Sequence, residues 1–359
     1  MAKSGRKESG ITMRLGNIGS RGPGARGRGL PLIALGFTVA AVACAQEPPV
    51  VFRSNVNLVR VVTTVKDKAG QLVGSLQKVD FEIYDNGVKQ ELGVFERQTE
   101  QPLSIALMVD TSASTGIDLK YETDSAGRFL RALLSEGNPS DAVALYEINA
   151  DVWLQHAFTH NYASLQQQFK LFRPQGATAL YDAVYLASEA LEDREGRKVI
   201  VIVTDGGDTY SKTTFDAALR AAQMADAVIY PLVVTPITND AGRNIGGEHA
   251  LITMAQRTGG RAFMPAPGAE LDKAFSDIIS ELRTQYLLAF YPRAVPPTKE
   301  PFHHLEVRVT RPELQVSARN GYYGEVEGAT GTADARISVA PDKPRAVPPK
   351  NSGKKRQER

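Results

Sequence analysis

Three oxygen-bearing side chains alternate along one short stretch of the sequence, at Asp110, Ser112 and Ser114 in "DTSAS". The stretch comes directly after the apolar run "IALMV", which is typical of a strand buried on both faces. A turning backbone can point a carboxylate and two hydroxyls at alternate positions toward one place. The stretch therefore has two interpretations, a polar cap on the helix that follows or half of a metal site.

Two further oxygen donors are predicted to lie close to this stretch. Asp205 ends a second apolar run, in "VIVTDGGD", and Thr178 precedes a predicted helix, in "PQGATALYDA". In an open α/β sheet, ligands bind outside the carboxyl ends of the strands. If the two strands are neighbours, their terminal carboxylates face one crevice, and Thr178 should lie on the same rim. The candidate site residues are therefore Asp110, Ser112, Ser114, Thr178 and Asp205.

The chemistry of these five side chains favours a hard cation. All of them offer oxygen, and none is His or Cys, which suits Mg²⁺ with Mn²⁺ and Ca²⁺ as alternatives. Hydroxyls bound directly and carboxylates bound through water would leave the ion short of negative charge, so it should attract a carboxylate from a partner. Helix capping would explain Asp110 and Ser112, but not an acid at the end of a second strand together with a loop threonine.

The elements that must position these residues lie between residues 102 and 290. Near-continuous apolar runs alternate with helical patterns there, which predicts a doubly wound, mostly parallel α/β sheet with helices on both faces. The runs are "LSIALMVD", "DAVALYEIN", "KVIVIVTDG" and "AVIYPLVV". "VWLQHAFT" is predicted to be an edge strand in a hairpin after the second run, and "TPITNDAGRNIGGEH" a loop over the rim.

The flanks of this segment have a different rhythm. Residues 50–100 alternate apolar and polar side chains, which predicts half-buried antiparallel strands, with a hairpin turn at Asp85-Asn86-Gly87. Strand character returns in "YLLAFYP" and through residues 291–324, in "HHLEVRVT" and "LQVSARNGYYG". These strands are expected to pack with the N-terminal ones as a small antiparallel β-sandwich.

The N-terminus has the order of an export signal. An arginine-rich region precedes the apolar stretch "LPLIALGFTVAAVACA", and Ala43 and Ala45 fit cleavage before Gln46. Residues 1–45 are therefore predicted to be a signal peptide, with no membrane span after its removal. A retained anchor and a lipid anchor at Cys44 are the alternatives. The protein is expected to be exported, to the periplasm, the cell surface or the extracellular space.

Composition limits the other functions. The 359 residues are 42% hydrophobic and carry a net charge of +2, a balance that gives no indication of nucleic-acid binding. A single cysteine excludes an intramolecular disulfide. Residues 325–359 are rich in Gly, Pro, Ala and charge, and are predicted to be a disordered basic tail.

The candidate residues resemble the metal-ion-dependent adhesion site of von Willebrand factor type A domains. The Asp-x-Ser-x-Ser element is matched in full at residues 110–114, and Thr178 in "GATAL" and Asp205 in "TDG" match its later elements. The resemblance covers roughly residues 102–290. The flanks resemble, more loosely, a bacterial group of exported proteins with a "VDFEIYDNG"-type hairpin before the type A domain and an "ARNGYYG"-type strand after it.

The resemblance implies roles for the five residues. Ser112, Ser114 and Thr178 would be hydroxyl ligands, Asp110 and Asp205 would act mainly through water or hydrogen bonds, and a partner's acidic side chain would complete the shell. The expected function is a non-enzymatic, adhesion-type protein-binding module.

Two alternatives remain. One is a structural envelope protein whose metal only stabilises its loops, and the other is a Mg²⁺-dependent hydrolase or phosphotransferase. The second lacks expected residues, because position 112 is Ser where a phosphoaspartyl enzyme usually has an acid, and the sequence contains no Gly-x-x-x-x-Gly-Lys loop.

Overall fold

The computed structural model describes residues 58–97, 101–234, 244–296 and 301–324. The predicted signal peptide, Cys44 and the predicted tail lie outside these ranges. The strands are β1 Val59–Lys66, β2 Phe81–Asp85, β3 Val88–Gln90, β4 Leu92–Arg97, β5 Leu103–Asp110, β6 Ala142–Ile148, β7 Val152–Thr159, β8 Arg197–Thr204, β9 Ala227–Val233, β10 Tyr286–Phe290, β11 Phe302–Val309, β12 Gln315–Ala318 and β13 Gly321–Tyr323. The helices are α1 Leu119–Glu136, α2 Tyr162–Phe169, α3 Leu180–Glu192, α4 Phe215–Met224, α5 Ile245–Thr258 and α6 Ala269–Thr284.

The central sheet has the order β7-β6-β5-β8-β9. Strands β6, β5, β8 and β9 are parallel, and β7 runs antiparallel to β6 at the edge, as the predicted hairpin requires. The strands β5 and β8 are direct neighbours, with Val109 opposite Val203. Their carboxyl ends therefore meet at one edge of the sheet, and the predicted fold class is confirmed.

Helices cover both faces of this sheet. Alternate residues of β5 enter two separate cores, because successive side chains of a strand point to opposite faces. Ile105 and Leu107 pack with α1, α2 and α6, while Ala106 and Met108 pack with α3, α4 and α5. Burial on both faces explains why the strands read as continuous apolar runs. In the described ranges, no helix is long and apolar enough to cross a bilayer.

The flanking strands form two four-stranded antiparallel sheets, ordered β12-β1-β10-β4 and β13-β11-β2-β3. They share one apolar core that includes Val61, Ile83 and Leu288. The strand β10 begins two residues after α6 ends, and it lies between β1 and β4. The predicted hairpin turn is confirmed at Asn86 and Gly87, which have φ of 47° and 81°.

Two features differ from the sequence-based expectation. The helix α2 lies in "NYASLQQQF", where the sequence analysis predicts no helix. The helix is short and fully buries one side chain, Leu165, so its apolar pattern is too weak to indicate a helix. The helix α5 begins at Ile245, inside the predicted rim loop, because Asn244 caps it by accepting a hydrogen bond from the Gly247 amide at 2.9 Å. Residues 235–243 of that loop lie outside the described ranges.

Candidate metal site

Asp110 is fully buried at the carboxyl end of β5. The amide of Ser112 donates to Oδ1 at 2.8 Å, and the hydroxyl of Thr204 donates to Oδ2 at 2.6 Å. Burial raises the pKa of Asp110 to about 6, and repulsion from Asp205 adds to the increase, while the hydrogen bonds from Thr204 and Ser112 oppose it. The carboxylate is thus held in place, although burial disfavours its charge.

The two serines lie on a tight turn directly after this strand. Ser112 has an extended backbone and precedes a 3₁₀ turn at Ala113–Ile117, and its Oγ lies 3.1 Å from that of Ser114. The helix α1 begins only after Asp118, and the side chain of Ser112 caps no backbone amide of the 3₁₀ turn. The capping interpretation therefore fails, and both hydroxyls are directed toward each other.

Asp205 immediately follows β8 and lies at the same edge of the sheet. The hydroxyl of Ser114, on the loop after β5, lies close enough to stabilise the charged form of the Asp205 carboxylate. Burial raises the pKa of Asp205, and the nearby Ser114 hydroxyl lowers it. The side chain is half-buried, so the site is accessible from the rim.

Thr178 reaches the same place from the loop before α3. Its Oγ1 lies 3.5 Å from Oδ2 of Asp110, and the side chain is buried. The loop is fixed by Thr209, because the Thr178 amide donates to Thr209 Oγ1 at 2.9 Å and the Thr178 carbonyl accepts from the Thr209 amide at 2.9 Å. The structure thus links Asp110, Ser112, Ser114 and Thr178 directly, and it places Asp205 at the same edge of the sheet.

Backbone hydrogen bonds join the loop after β5 to the loop before α3. The Ala113 amide donates to the Gly176 carbonyl at 3.1 Å, and the Gln175 amide donates to the Thr111 carbonyl at 2.8 Å. Gly176 has a φ of +72°, a conformation that residues with a Cβ rarely adopt. The glycine therefore serves the turn that carries Thr178 to the site.

Two acids outside the candidate set position the loops. Asp208 Oδ1 accepts from the amides of Leu180 and Tyr181 at 2.8 and 3.2 Å, and thereby caps α3 next to Thr178. Asp182 accepts from the amides of residues 212 and 213 at 3.1 and 2.8 Å. Their sequence positions indicate loop and helix acids, but not which amides they bind.

Two residues near the site are not among the five candidates predicted from the sequence. Thr204, the last residue of β8, is the principal donor to Asp110 Oδ2. Glu122, in the first turn of α1, is fully buried, and neither of its carboxylate oxygens has a hydrogen-bond partner. Its pKa is raised well above the ordinary value, first by burial and then by repulsion from Asp110 and Asp205. The available signal was only an acid at the start of a helix.

The donor set fits a hard divalent cation. In the part of the chain that the structure describes, Asp110, Asp205 and Glu122 form no ion pair with a lysine or arginine, so no basic side chain offsets the burial and repulsion that disfavour their charged forms. No group of three or more His, Cys, Asp and Glu side chains in the described ranges could hold a metal by itself. A cation at this edge would consequently depend on the hydroxyls, and the unpartnered buried oxygens of Glu122 are consistent with a missing positive charge.

The sheet and the loops that carry the candidate site lie in a segment that matches a known domain family. Residues 105–208 match the family model of the von Willebrand factor type A domain, and this range contains all five candidate residues. This segment therefore matches the type A domain family, as the sequence resemblance implied. No curated protein matches the sequence.

Several solved structures are similar to this chain. The protein BatB from Bacteroides thetaiotaomicron is 20% identical, and the match covers 50% of this chain and 98% of that one with a TM-score of 0.41. The vWF domain of the type V pili tip protein Mfa5 from Porphyromonas gingivalis is 15% identical, with 50% and 95% covered and a TM-score of 0.40. The PilB minor pilin from Streptococcus sanguinis is 13% identical, with 52% and 62% covered and a TM-score of 0.41.

Proposed function

We propose that this protein is an exported, adhesion-type binding module that holds Mg²⁺ at Asp110, Ser112, Ser114, Thr178 and Asp205 and engages an Asp or Glu side chain of a protein partner. The observation that carries this proposal is the convergence of five oxygen donors from three distant loops on the edge of the sheet where β5 and β8 end. Mn²⁺ and Ca²⁺ offer the same chemistry and are the alternative ions.

The hydrogen bonds of the site support the division of roles. Asp110 accepts from Thr204 and lies next to the hydroxyl of Thr178, and the hydroxyl of Ser114 lowers the pKa of Asp205, so the carboxylates lie where they can orient hydroxyl oxygens. Bound Mg²⁺ would supply an electrophilic point for a carboxylate. Because the hydroxyl donors are neutral, part of the ion's charge would remain available, and a charge-assisted contact could anchor an otherwise modest interface.

The surroundings of the site favour a protein partner. Large apolar and aromatic side chains on three segments at this end of the sheet are exposed: Ile117 (89%), Tyr210 (59%) and Ile245 (73%). The second and third segments approach closely, because Gly207 packs against Gly247. Exposed apolar side chains next to polar groups are typical of protein interaction surfaces.

Nucleophilic catalysis receives no comparable support. In the described ranges, no histidine is hydrogen-bonded to Ser112 or Ser114, so neither hydroxyl has the adjacent base that a nucleophilic serine needs. The proposal is therefore a binding module rather than a hydrolase. A purely structural metal remains the competing role.

The test is metal-dependent capture of a partner from the cell envelope. The mature protein is used as bait with Mg²⁺ and with EDTA, and Asp110→Ala is compared with wild type. Asp193→Ala is the matched control, since Asp193 is an exposed acid at the other end of α3. We expect wild type and the control to capture the partner only with Mg²⁺, and Asp110→Ala not to capture it.

The competing roles give different results. A fold stabilised by Mg²⁺ without any metal-dependent capture would indicate a structural ion. Capture that persists in EDTA, or in a folded Asp110→Ala variant, would refute the proposed mode of binding.

A further inference from the structure

Glu122 is a buried acid whose carboxylate forms no hydrogen bond in the described part of the fold. It is 0% exposed, and both carboxylate oxygens are buried without a hydrogen-bond donor. Its backbone is ordinary helix, with the amide donating to the Asp118 carbonyl at 3.0 Å. Burial of an unpartnered carboxylate is costly, and an apolar residue would fill the same position at a lower cost. The structure of α1 alone therefore does not explain an acid at this position.

The chain places Glu122 close to the candidate metal site, because the turn at Ala113–Ile117 that carries Ser114 leads directly into the first turn of α1, with the Asp118 amide bonded to the Thr115 carbonyl and the Glu122 amide to the Asp118 carbonyl. The acids near enough to repel its carboxylate are Asp110, Asp205 and Asp118, the residue before α1. No lysine or arginine in the described ranges compensates these charges. Such an arrangement is unfavourable by itself, and a divalent cation between the acids would make it favourable.

The arrangement of the acidic side chains limits how Glu122 could contribute to the binding of an ion. No three carboxylates in the described ranges converge on one point closely enough to hold a metal directly. Mg²⁺ keeps several of its water molecules when it binds to proteins. A carboxylate behind the direct ligands can accept a hydrogen bond from such a water molecule.

We propose that Glu122 is a positioning residue of the candidate metal site, whose carboxylate accepts a hydrogen bond from a water molecule bound to the ion and adds a third negative charge. This inference rests on the proposed metal site. It implies that Glu122 destabilises the metal-free protein and strengthens metal binding, two effects of opposite sign from one side chain.

The test compares Glu122→Gln with wild type in two measurements on the mature protein. Thermal unfolding in EDTA should show a midpoint higher by about 3 °C or more for the variant, because an amide carries no buried charge. Calorimetric titration with Mg²⁺ should show a Kd that is about 10-fold to 100-fold weaker. Asp124→Asn is the control, because Asp124 is exposed on the same helix, and it should change neither quantity.

The outcomes separate this inference from the proposed function. If wild type binds Mg²⁺ and Glu122→Gln binds it equally well, Glu122 has no part in the site, although the site stands. If wild type binds no Mg²⁺, Mn²⁺ or Ca²⁺, both proposals fail. If wild type binds metal but captures no partner, only the adhesive role fails.

A second variant guards against misfolding of the first. Glu122→Leu removes the carboxylate and retains an apolar side chain of similar size, so it should also raise the unfolding midpoint in EDTA and weaken Mg²⁺ binding. A lower midpoint in EDTA for both folded variants would refute the destabilising role of the buried charge.

Discussion

The hydroxyl of Thr204 donates a hydrogen bond of 2.6 Å to Oδ2 of Asp110, and this contact joins the carboxyl ends of the neighbouring strands β8 and β5. It fixes one oxygen of a fully buried carboxylate, while the Ser112 amide fixes the other at 2.8 Å. Asp110 therefore reaches the candidate site in one orientation.

Replacement of Thr204 by Val should disturb both stability and metal binding. The change preserves the shape of the side chain but leaves Asp110 Oδ2 without its principal donor, which should lower the free energy of unfolding by about 1–3 kcal/mol. The affinity for Mg²⁺ should fall about 10-fold, because Asp110 loses its orientation. Urea unfolding and calorimetry measure the two effects. Thr253→Val is the control, because the Thr253 hydroxyl donates to the His249 carbonyl within α5, and equal losses in both variants would argue against a specific role of Thr204.

The five-residue site predicts that Mg²⁺ stabilises the protein. A ligand that binds only the folded state adds about 2.7 kcal/mol at a concentration 100 times its Kd. We expect Mg²⁺ to raise the unfolding midpoint of wild type, EDTA to reverse the increase, and Ser112→Ala and Asp110→Ala to abolish it. Differential scanning fluorimetry with Mg²⁺, Mn²⁺ and Ca²⁺ measures this. A wild-type midpoint that responds to none of the three ions would contradict the site.

Asp110 should make the metal-free protein sensitive to pH. Burial raises its pKa from 3.8 to about 6. Because the folded pKa is the higher one, the protonated form is favoured in the folded state, and its contribution to stability is complete below pH 4 and lost as the pH rises through 6. In EDTA, the stability of wild type relative to Asp110→Asn should therefore fall between pH 4 and pH 7. A constant difference in urea unfolding across this range would refute the expectation.

A buried polar cluster in the β-sandwich should matter for folding alone. The hydroxyl of Tyr322 donates to Oδ2 of the fully buried Asp85 at 2.7 Å, and His303 Nδ1 lies 3.0 Å from Oδ1. Tyr322→Phe should lower the free energy of unfolding by about 1–3 kcal/mol, because a buried acceptor loses its donor. Tyr323→Phe is the control, because the hydroxyl that binds Asp85 belongs to Tyr322 and not to Tyr323. A folded Tyr322→Phe variant that binds Mg²⁺ more weakly than wild type would contradict the prediction that this cluster matters for folding alone.

The exposed side chains at the rim should affect partner binding without affecting the ion. Tyr210→Ala and Ile117→Ser remove exposed apolar surface, so each should weaken capture of the partner several-fold while the Kd for Mg²⁺ stays unchanged. Val79→Ser is the control, because Val79 is 82% exposed in the β-sandwich flank. Quantitative pull-down with parallel calorimetry separates the effects. Weaker metal binding in these variants would indicate a disturbed site.

Most of the secondary structure and all five candidate donors could be predicted from the sequence. Continuous apolar runs predicted the buried parallel strands, and acids at the ends of two runs predicted a common edge, because parallel strands present their carboxyl ends on the same side. Helix signals in the sequence did not predict α2, which is short, or the start of α5, which depends on the cap by Asn244. That Asp110, Ser112, Ser114, Thr178 and Asp205 bind metal stays a prediction.

The other side chains around the site became apparent from the packing of the folded chain. The pairing of β5 with β8 puts Thr204 next to Asp110, and the packing of α1 buries Glu122 completely. An acid in the first turn of a helix has the same sequence signal whether it is exposed or buried, because its burial depends on elements far away in the chain. Strand neighbours and buried charges are set by such long-range packing, and local sequence patterns do not encode them.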